Sequence, residues 1–415
     1  MRLNSLLSPL PGWGRAALAL GATALLTGCD LNFWRMDGHQ STLVVDGPVA
    51  RSQLGVFYVT CWVTFSIFLV VGGVLAYATW KFRARTASEE QAVPAEQGHG
   101  NPLIELGLIG ASVLALVIIA IPTLRAIWYT ADVPVADKAN AYEVNATGLQ
   151  WWFRFEYPAE QIPGSGPLLT SNELVIPAGR PVRSNLRAAD VIHSFWIPKL
   201  AGKVDMIPNR GSSLWLQADA PGYFWGQCAE YCGDSHAVMR FRVIALGPRE
   251  FNDWVNRQLA PARTVATADA GASPAPAAVV RTTWQRNEKG WTEQFERDPL
   301  AAWRAHQRPE QAESPALIAQ GRALFQSKTC FTCHVVRGQM AGGSSAYPDL
   351  THLGSRTTLA AGLLENNAEQ LARWIAHPDQ VKPGNKMYAL GYLPNNIRLT
   401  AGDVAALTAY LQSLK

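Results

Sequence analysis

Two apolar runs fix the outline of this chain before any motif is read. Val56 to Trp80 carries no charged residue, and Leu103 to Tyr129 carries only Glu105 near its start and Arg125 near its end. At 1.5 Å per residue the first run reaches about 37 Å as a helix, enough to cross a hydrocarbon core of about 30 Å. No water is available there to satisfy the backbone, so each run has to be helical. Lys81, Arg83 and Arg85 follow the first run directly and place the loop 81–102 in the cytoplasm. Residues 56–80 and 103–129 thus read as a transmembrane hairpin, with everything after Tyr129 outside the cytoplasm. A formal net charge of +4 gives no basis for nucleic-acid binding.

Residues 1–28 have the anatomy of an export signal: Arg2 and Arg15 precede the apolar stretch Ala16 to Leu26. The segment Leu26-Thr27-Gly28-Cys29 resembles a bacterial lipobox, which implies cleavage before Cys29 and a lipid on its sulfur. An ordinary signal peptide and an uncleaved anchor are the alternatives. Residues 29–55 then form an extracytoplasmic segment. The lipobox requires the same topology as the cationic loop, and both point to a multi-pass protein of the bacterial inner (cell) membrane with periplasmic domains. Of the six cysteines, Cys61 lies inside the first span, where a buried thiol is ordinary. The four beyond the spans fall in two motifs, and no pair is left over for a structural disulfide.

Residues 130–260 show short runs of strand formers broken by Gly, Pro and Asn. Tyr142 to Tyr157, Glu173 to Ile176, Val191 to Ile197, Ser213 to Gln217 and Arg240 to Leu246 read as strands, suggesting an all-β, cupredoxin-like Greek-key domain. It holds the motif Cys228-Ala229-Glu230-Tyr231-Cys232, followed by His236 and Met239. Cys232, His236 and Met239 alone suit one copper ion bound by thiolate, imidazole and a weak thioether. With Cys228 added, two thiolates are able to bridge two coppers, each needing one terminal imidazole. His236 supplies one, and His193 is the only other histidine in this region. Met239 and the backbone carbonyl near Glu230 are candidate weak ligands. Three readings compete: zinc held by two Cys and two His, a Cys228–Cys232 disulfide, and His193 as a core residue. Zinc leaves Met239 unexplained; a disulfide leaves His236 and Met239 unexplained.

Residues 261–314 start with a tether, since Pro261 to Val280 is rich in Ala and Pro and lacks periodicity. A charged stretch with Trp284, Trp291 and Trp303 follows and reads as a docking or capping segment. Residues 315–415 read as a small all-α domain. Its motif Cys330-Phe331-Thr332-Cys333-His334 places two cysteines to form thioethers with haem vinyl groups and a histidine to reach the iron. The second axial ligand has to come from farther along the chain. Met387, in Lys382-Pro383-Gly384-Asn385-Lys386-Met387, meets that need, with His352 and His377 as alternatives; Met340 is too close to His334 to cross over.

The paired cysteines with Glu230, His236 and Met239, after two spans, resemble subunit II of the haem–copper oxidases with its binuclear CuA centre. The haem region resembles a class I cytochrome c, and the fusion of both resembles the caa-type cytochrome c oxidases. The resemblance implies an electron-input subunit of a proton-pumping enzyme whose oxygen site lies on subunit I. Its partners are subunit I, a subunit III, a cytochrome c or membrane-bound donor, and membrane lipid. It implies that Trp151, in Gln150-Trp151-Trp152-Phe153, receives electrons, that Glu230 and Asp205 face a magnesium site toward subunit I, and that Glu105 marks the mouth of a proton pathway. Other outcomes are a CuA-containing nitric oxide reductase, a quinol oxidase subunit, which lacks the copper ligands, and a copper-delivery protein.

Overall fold

The computed structural model describes residues 36–91, 93, 98, 100–265, 290–309 and 313–415. The export signal 1–28, Cys29, Trp284 and most of the Pro261 to Val280 tether lie outside the described residues.

Helices α1 (Pro48–Lys81) and α2 (Pro102–Ala131) form an antiparallel pair. Both are apolar and long enough to cross a membrane, and none of their most hydrophobic stretch is buried within the chain. Each extends past the apolar run at the end nearer the β domain, where it is tied to that domain. Gly47, just before α1, sits where a Cβ would lie 2.2 Å from the Gln217 carbonyl oxygen, so only glycine allows that approach. The Trp215 indole donates to the Tyr129 carbonyl at 3.0 Å, and the two rings meet edge to face. The hairpin is therefore fixed to the β domain.

Ten strands follow: β1 (Tyr142–Leu149), β2 (Trp152–Ile162), β3 (Gly166–Ser171), β4 (Glu173–Pro177), β5 (Val182–Ala188), β6 (His193–Trp196), β7 (Val204–Met206), β8 (Ser212–Leu216), β9 (Gly222–Cys228) and β10 (Arg240–Leu246). They form two five-stranded sheets, ordered β3-β2-β1-β5-β8 and β4-β10-β9-β6-β7. Inward positions alternate along β2 as Phe153, Phe155 and Tyr157, all fully buried. Phe153 and Phe195 meet Phe241 at ring distances of 4.7 and 4.8 Å, closing the space between the sheets. The long run read as Tyr142 to Tyr157 is two strands, β1 and β2, joined by a turn at Gln150 and Trp151.

Helix α3 (Pro248–Leu259) caps the sandwich, burying Phe251 and Trp254. Two short helices, α4 (Glu293–Arg297) and α5 (Pro299–His306), then bridge to the C-terminal domain. That domain is framed by α6 (Pro315–Ser327) and α8 (Ala401–Ser413), which cross so closely that a Cβ on Gly321 would lie 2.0 Å from the Ala406 carbonyl oxygen. Helix α7 (Ala368–Ala376) packs against α8.

Candidate metal and haem sites

The loop between β9 and β10 brings two cysteine sulfurs together, and four further potential donors lie around them, three from the loop and His193 from β6. Cys228 Sγ and Cys232 Sγ lie 3.8 Å apart. His193 Nδ1 is 3.9 Å from the first sulfur, and the Glu230 carbonyl is 3.3 Å from it. His236 Nδ1 and Met239 Sδ lie 3.7 and 3.8 Å from the second. Ligand atoms of His193, Cys228 and Cys232 all fall within 4.8 Å of one another, a set that His236 does not join. His193 therefore lies beside the sulfur pair within reach of both sulfurs, while His236 approaches Cys232 and stands apart from that set. This spread suits two ions better than one central ion. The two sulfurs are buried, so the second thiol to ionise would face its neighbour's negative charge. The bond between them favours one thiolate and opposes the second: Cys228 is drawn well below its ordinary value and Cys232 is held far above its own. Two adjacent thiolates need a cation between them, and the donor set fits a thiolate-seeking metal.

The surroundings orient each donor. His193, from β6, is fully buried and donates from Nε2 to Asp190 Oδ1 at 2.9 Å, leaving Nδ1 free toward Cys228. Burial works to raise the Asp190 carboxyl, but His193, the Gln150 and Val191 amides and Lys386 outweigh it and hold it well below the usual range. The Trp151 indole and the Gln150 amide both donate to the Cys232 carbonyl, at 2.9 and 2.8 Å.

A cavity of about 230 Å³ opens on the other side of Trp151. Its walls include Trp151 and Trp152 from the β domain and Cys330, Cys333, His334 and Met387 from the helical domain. Phe325, Leu371 and Leu411 make much of the remainder apolar. His334 Nδ1 donates to the Pro348 carbonyl at 2.9 Å, which leaves Nε2 for the cavity. Burial lowers the affinity of the ring for a proton, favouring the neutral form that binds metal. Met387 shares the cavity with His334, whereas His352, His377 and Met340 do not line it; His352 instead bonds to the Ala260 carbonyl. The chemistry of the lining fits a covalently anchored haem.

Residues 142–246 match the family described as "Cytochrome C oxidase subunit II, periplasmic domain", and residues 318–415 match "Cytochrome c". The cytochrome c oxidase subunit 2 of Alkalihalophilus pseudofirmus is 32% identical over 399 residues, covering 95% of this chain and 94% of that one. The chain belongs to the cytochrome c oxidase subunit II family. The subunit 2 of Bacillus subtilis is 30% identical over 416 residues, covering 97% and 98%. A solved structure of the periplasmic domain of subunit II from Bradyrhizobium japonicum is 32% identical with a TM-score of 0.27, covering 28% of this chain and 92% of that one. The fold class is the one expected: two apolar helices, a cupredoxin-like β domain and an all-α cytochrome c domain. The matched domains imply copper and haem, and membership implies assembly with subunit I in a haem–copper oxidase. Two apolar helices with a periplasmic domain fit a membrane protein with domains outside the cytoplasm.

Glu105 is exposed in the first turn of α2, and Asp205 is exposed on β7. Glu230 is half-buried on the metal loop, and its backbone carbonyl, rather than its side chain, approaches Cys228. Asp190 and Lys382 escaped the sequence reading as functional residues. An acid three positions before a candidate ligand was the one available signal for Asp190. The charged stretch with Trp291 and Trp303 proves to be a bridge. Trp303 is buried, Arg304 pairs with Glu250 on α3, and Gln307 donates to the Ser355 carbonyl of the helical domain at 2.9 Å.

Proposed function

We propose that this chain is the electron-input subunit of a respiratory cytochrome c oxidase. When bound, the haem c and the CuA pair supply one-electron relay chemistry, carrying electrons from a soluble or membrane-bound donor to the haem/CuB site of subunit I, where oxygen reduction is coupled to proton pumping. The observation that carries this reading is the placement of Trp151: its ring lines the cavity beside Cys330, Cys333, His334 and Met387, and its indole nitrogen bonds to the Cys232 carbonyl. One side chain thus touches both sites.

Under this reading Cys228 and Cys232 would hold the two coppers together with His193 and His236, and Met239 and the Glu230 carbonyl would serve as weaker ligands. Asp190 holds His193 in its tautomer. Cys330 and Cys333 anchor the porphyrin, and His334 Nε2 and Met387 ligate the iron. Glu230 and Asp205 face a magnesium ion toward subunit I, Glu105 marks a proton inlet, and a subunit III completes the complex. Residues 1–28 are the signal, with lipid on Cys29; 29–55 are extracytoplasmic; 56–80 and 103–129 span the bacterial inner membrane about the cytoplasmic loop 81–102. Residues 130–260 carry copper, 261–314 link, and 315–415 carry haem.

The test is Cys228→Ser and Cys232→Ser in the purified complex. Each variant should lose the near-infrared band of the copper pair and oxygen consumption, while haem c stays bound and reducible. Survival of both the band and the activity refutes the assignment.

A further inference from the structure

Lys382 is 3% exposed, yet it carries an ammonium group into the junction between the two cofactor domains. Burying such a charge is costly unless its donors are matched. An ammonium has three donors, and Lys382 Nζ meets three acceptors, all main-chain carbonyls. These are Trp151 at 2.6 Å, Ala360 at 3.2 Å and Val238 at 3.4 Å. They come from three separate segments: the β1–β2 turn, the helical domain's own 358–365 hairpin, and the turn that leads into Met239. A side chain of the haem domain therefore fastens the residue touching both sites and the end of the metal loop.

The rest of the loop is built to transmit that anchorage to Met387. Asn385 is buried and donates to the Lys382 and Pro378 carbonyls at 2.7 and 2.6 Å, while its oxygen accepts from the Tyr388 amide at 2.8 Å. Ser235, on the metal loop, donates to the Pro383 carbonyl. Lys386 pairs with Asp190 at 3.2 Å. Gly384 has φ +70° and lies so close to the metal loop that a Cβ would be 2.9 Å from Asp234 Oδ2 and 3.1 Å from the Trp151 ring. Between Lys382 and Met387 the chain has little freedom to move without moving Trp151.

We propose that Lys382 is a positioning residue for electron transfer between the two sites. It pins the Met387 loop to the Trp151 backbone and to the metal loop, so that the two sites keep one separation and transfer needs no fresh encounter of the domains. The inference rests on the functional reading above and adds to it a residue that touches neither cofactor. A domain held only by its tether would re-encounter the copper domain at an effective concentration of about millimolar. Electron tunnelling falls off exponentially with separation, so a junction that opens slows transfer.

The experiment uses the full chain in its complex, with haem c reduced by a flash-activated external photoreductant and electron arrival followed at the copper band. In the unaltered protein the internal rate should be independent of salt. In Lys382→Met, both absorption bands and the haem midpoint potential should persist, while the internal rate falls several-fold and becomes salt-dependent. A merely structural role would lower the melting temperature without changing that rate in folded protein. An unchanged rate with both bands present overturns the inference and leaves the functional reading standing. Absence of the copper band from the unaltered protein overturns both. Should Lys382→Met lose either band, Lys382→Gln decides by the same criterion: its shorter side chain brings two amide donors, not three, to the carbonyls of Trp151, Ala360 and Val238, so a slowed, salt-dependent rate supports the inference and an unchanged rate overturns it.

Discussion

Asp190→Asn probes the copper domain at a residue that is not itself a ligand. The Asp190 carboxylate collects four donors: His193 Nε2 at 2.9 Å, the Gln150 amide at 2.8 Å, the Val191 amide at 2.9 Å and Lys386 Nζ at 3.2 Å. His193 is fully buried and, among the described residues, its Nε2 has no other hydrogen-bond partner, so the orientation of Nδ1 depends on this one acid. Asparagine keeps one acceptor oxygen but removes the charge and turns a donor toward groups that are themselves donors. Loss of an outer partner of a ligating histidine costs about 10- to 100-fold in metal affinity, or about 1.4 to 2.7 kcal/mol. Copper release to a competing chelator, followed at the near-infrared band, measures it. The haem domain should keep its absorbance and midpoint potential, and the exposed Asp253→Asn, on α3, serves as the control. Copper affinity in Asp190→Asn within twofold of the control would refute the view that this carboxylate sets the His193 donor.

Two further outcomes follow from groups at the domain junction and in the haem domain core. Glu173 is fully buried and accepts from the Thr357 amide and hydroxyl at 2.7 and 2.6 Å; burial raises its carboxyl above the ordinary value, against those bonds and the nearby Arg356 and Arg242. A raised folded-state value means the neutral acid is favoured, so its contribution is complete below the unfolded value of about 4.3 and is lost as pH rises through the folded one. Melting of the purified protein should show a stability loss on that alkaline side that Glu173→Gln removes; equal pH slopes in both proteins would contradict it. Gly321→Val forces a side chain against the Ala406 carbonyl, where even a Cβ would stand at 2.0 Å. Overpacking of this kind costs about 1 to 3 kcal/mol, so thermal loss of haem absorbance should come at lower temperature with the copper band unchanged, and an unchanged midpoint would contradict it.

What the sequence disclosed and what it hid divide along the range of the interaction. Cys228, Cys232, His236 and Met239 stand on one loop, so their spacing alone brings them together, as it does for Cys330, Cys333 and His334. The two spans were legible because the bilayer demands long uncharged helices. Strands β3, β5, β7 and β9 were not read: Val182–Ala188 mixes arginine, serine and asparagine with few apolar residues, and Gly222–Cys228 has glycines at two positions. Their strand character comes from pairing with distant partners, such as β5 with β1 and β8. Lys382 and Glu173 look like surface charges in the sequence. Only the approach of a second domain buries them, and no local pattern records that approach.

The junction between the copper and haem domains argues for a fixed body. Tyr223 and Thr357 hydroxyls lie 2.8 Å apart, and Thr357 in turn bonds to Glu173, making a buried chain across the boundary. Arg242 is fully buried between the rings of Trp225 and Trp291, at 5.2 and 5.0 Å, and donates to the Gly362 carbonyl of the haem domain at 2.9 Å. Stacking on two indoles offsets part of the cost of burying that charge. Arg242 stands on β10, the strand that Met239 leads into, and the amide of the intervening Arg240 bonds to the Ala361 carbonyl of the haem domain at 2.9 Å. The site is thus braced by Asp190 at His193 on β6, and its loop by Lys382 at Val238, by Pro383 at Ser235 and by β10 just beyond Met239, the last three reaching into the haem domain. Several independent contacts hold the metal loop against the haem domain, so removing one of them should change the distance an electron must cover before it changes the copper ligands.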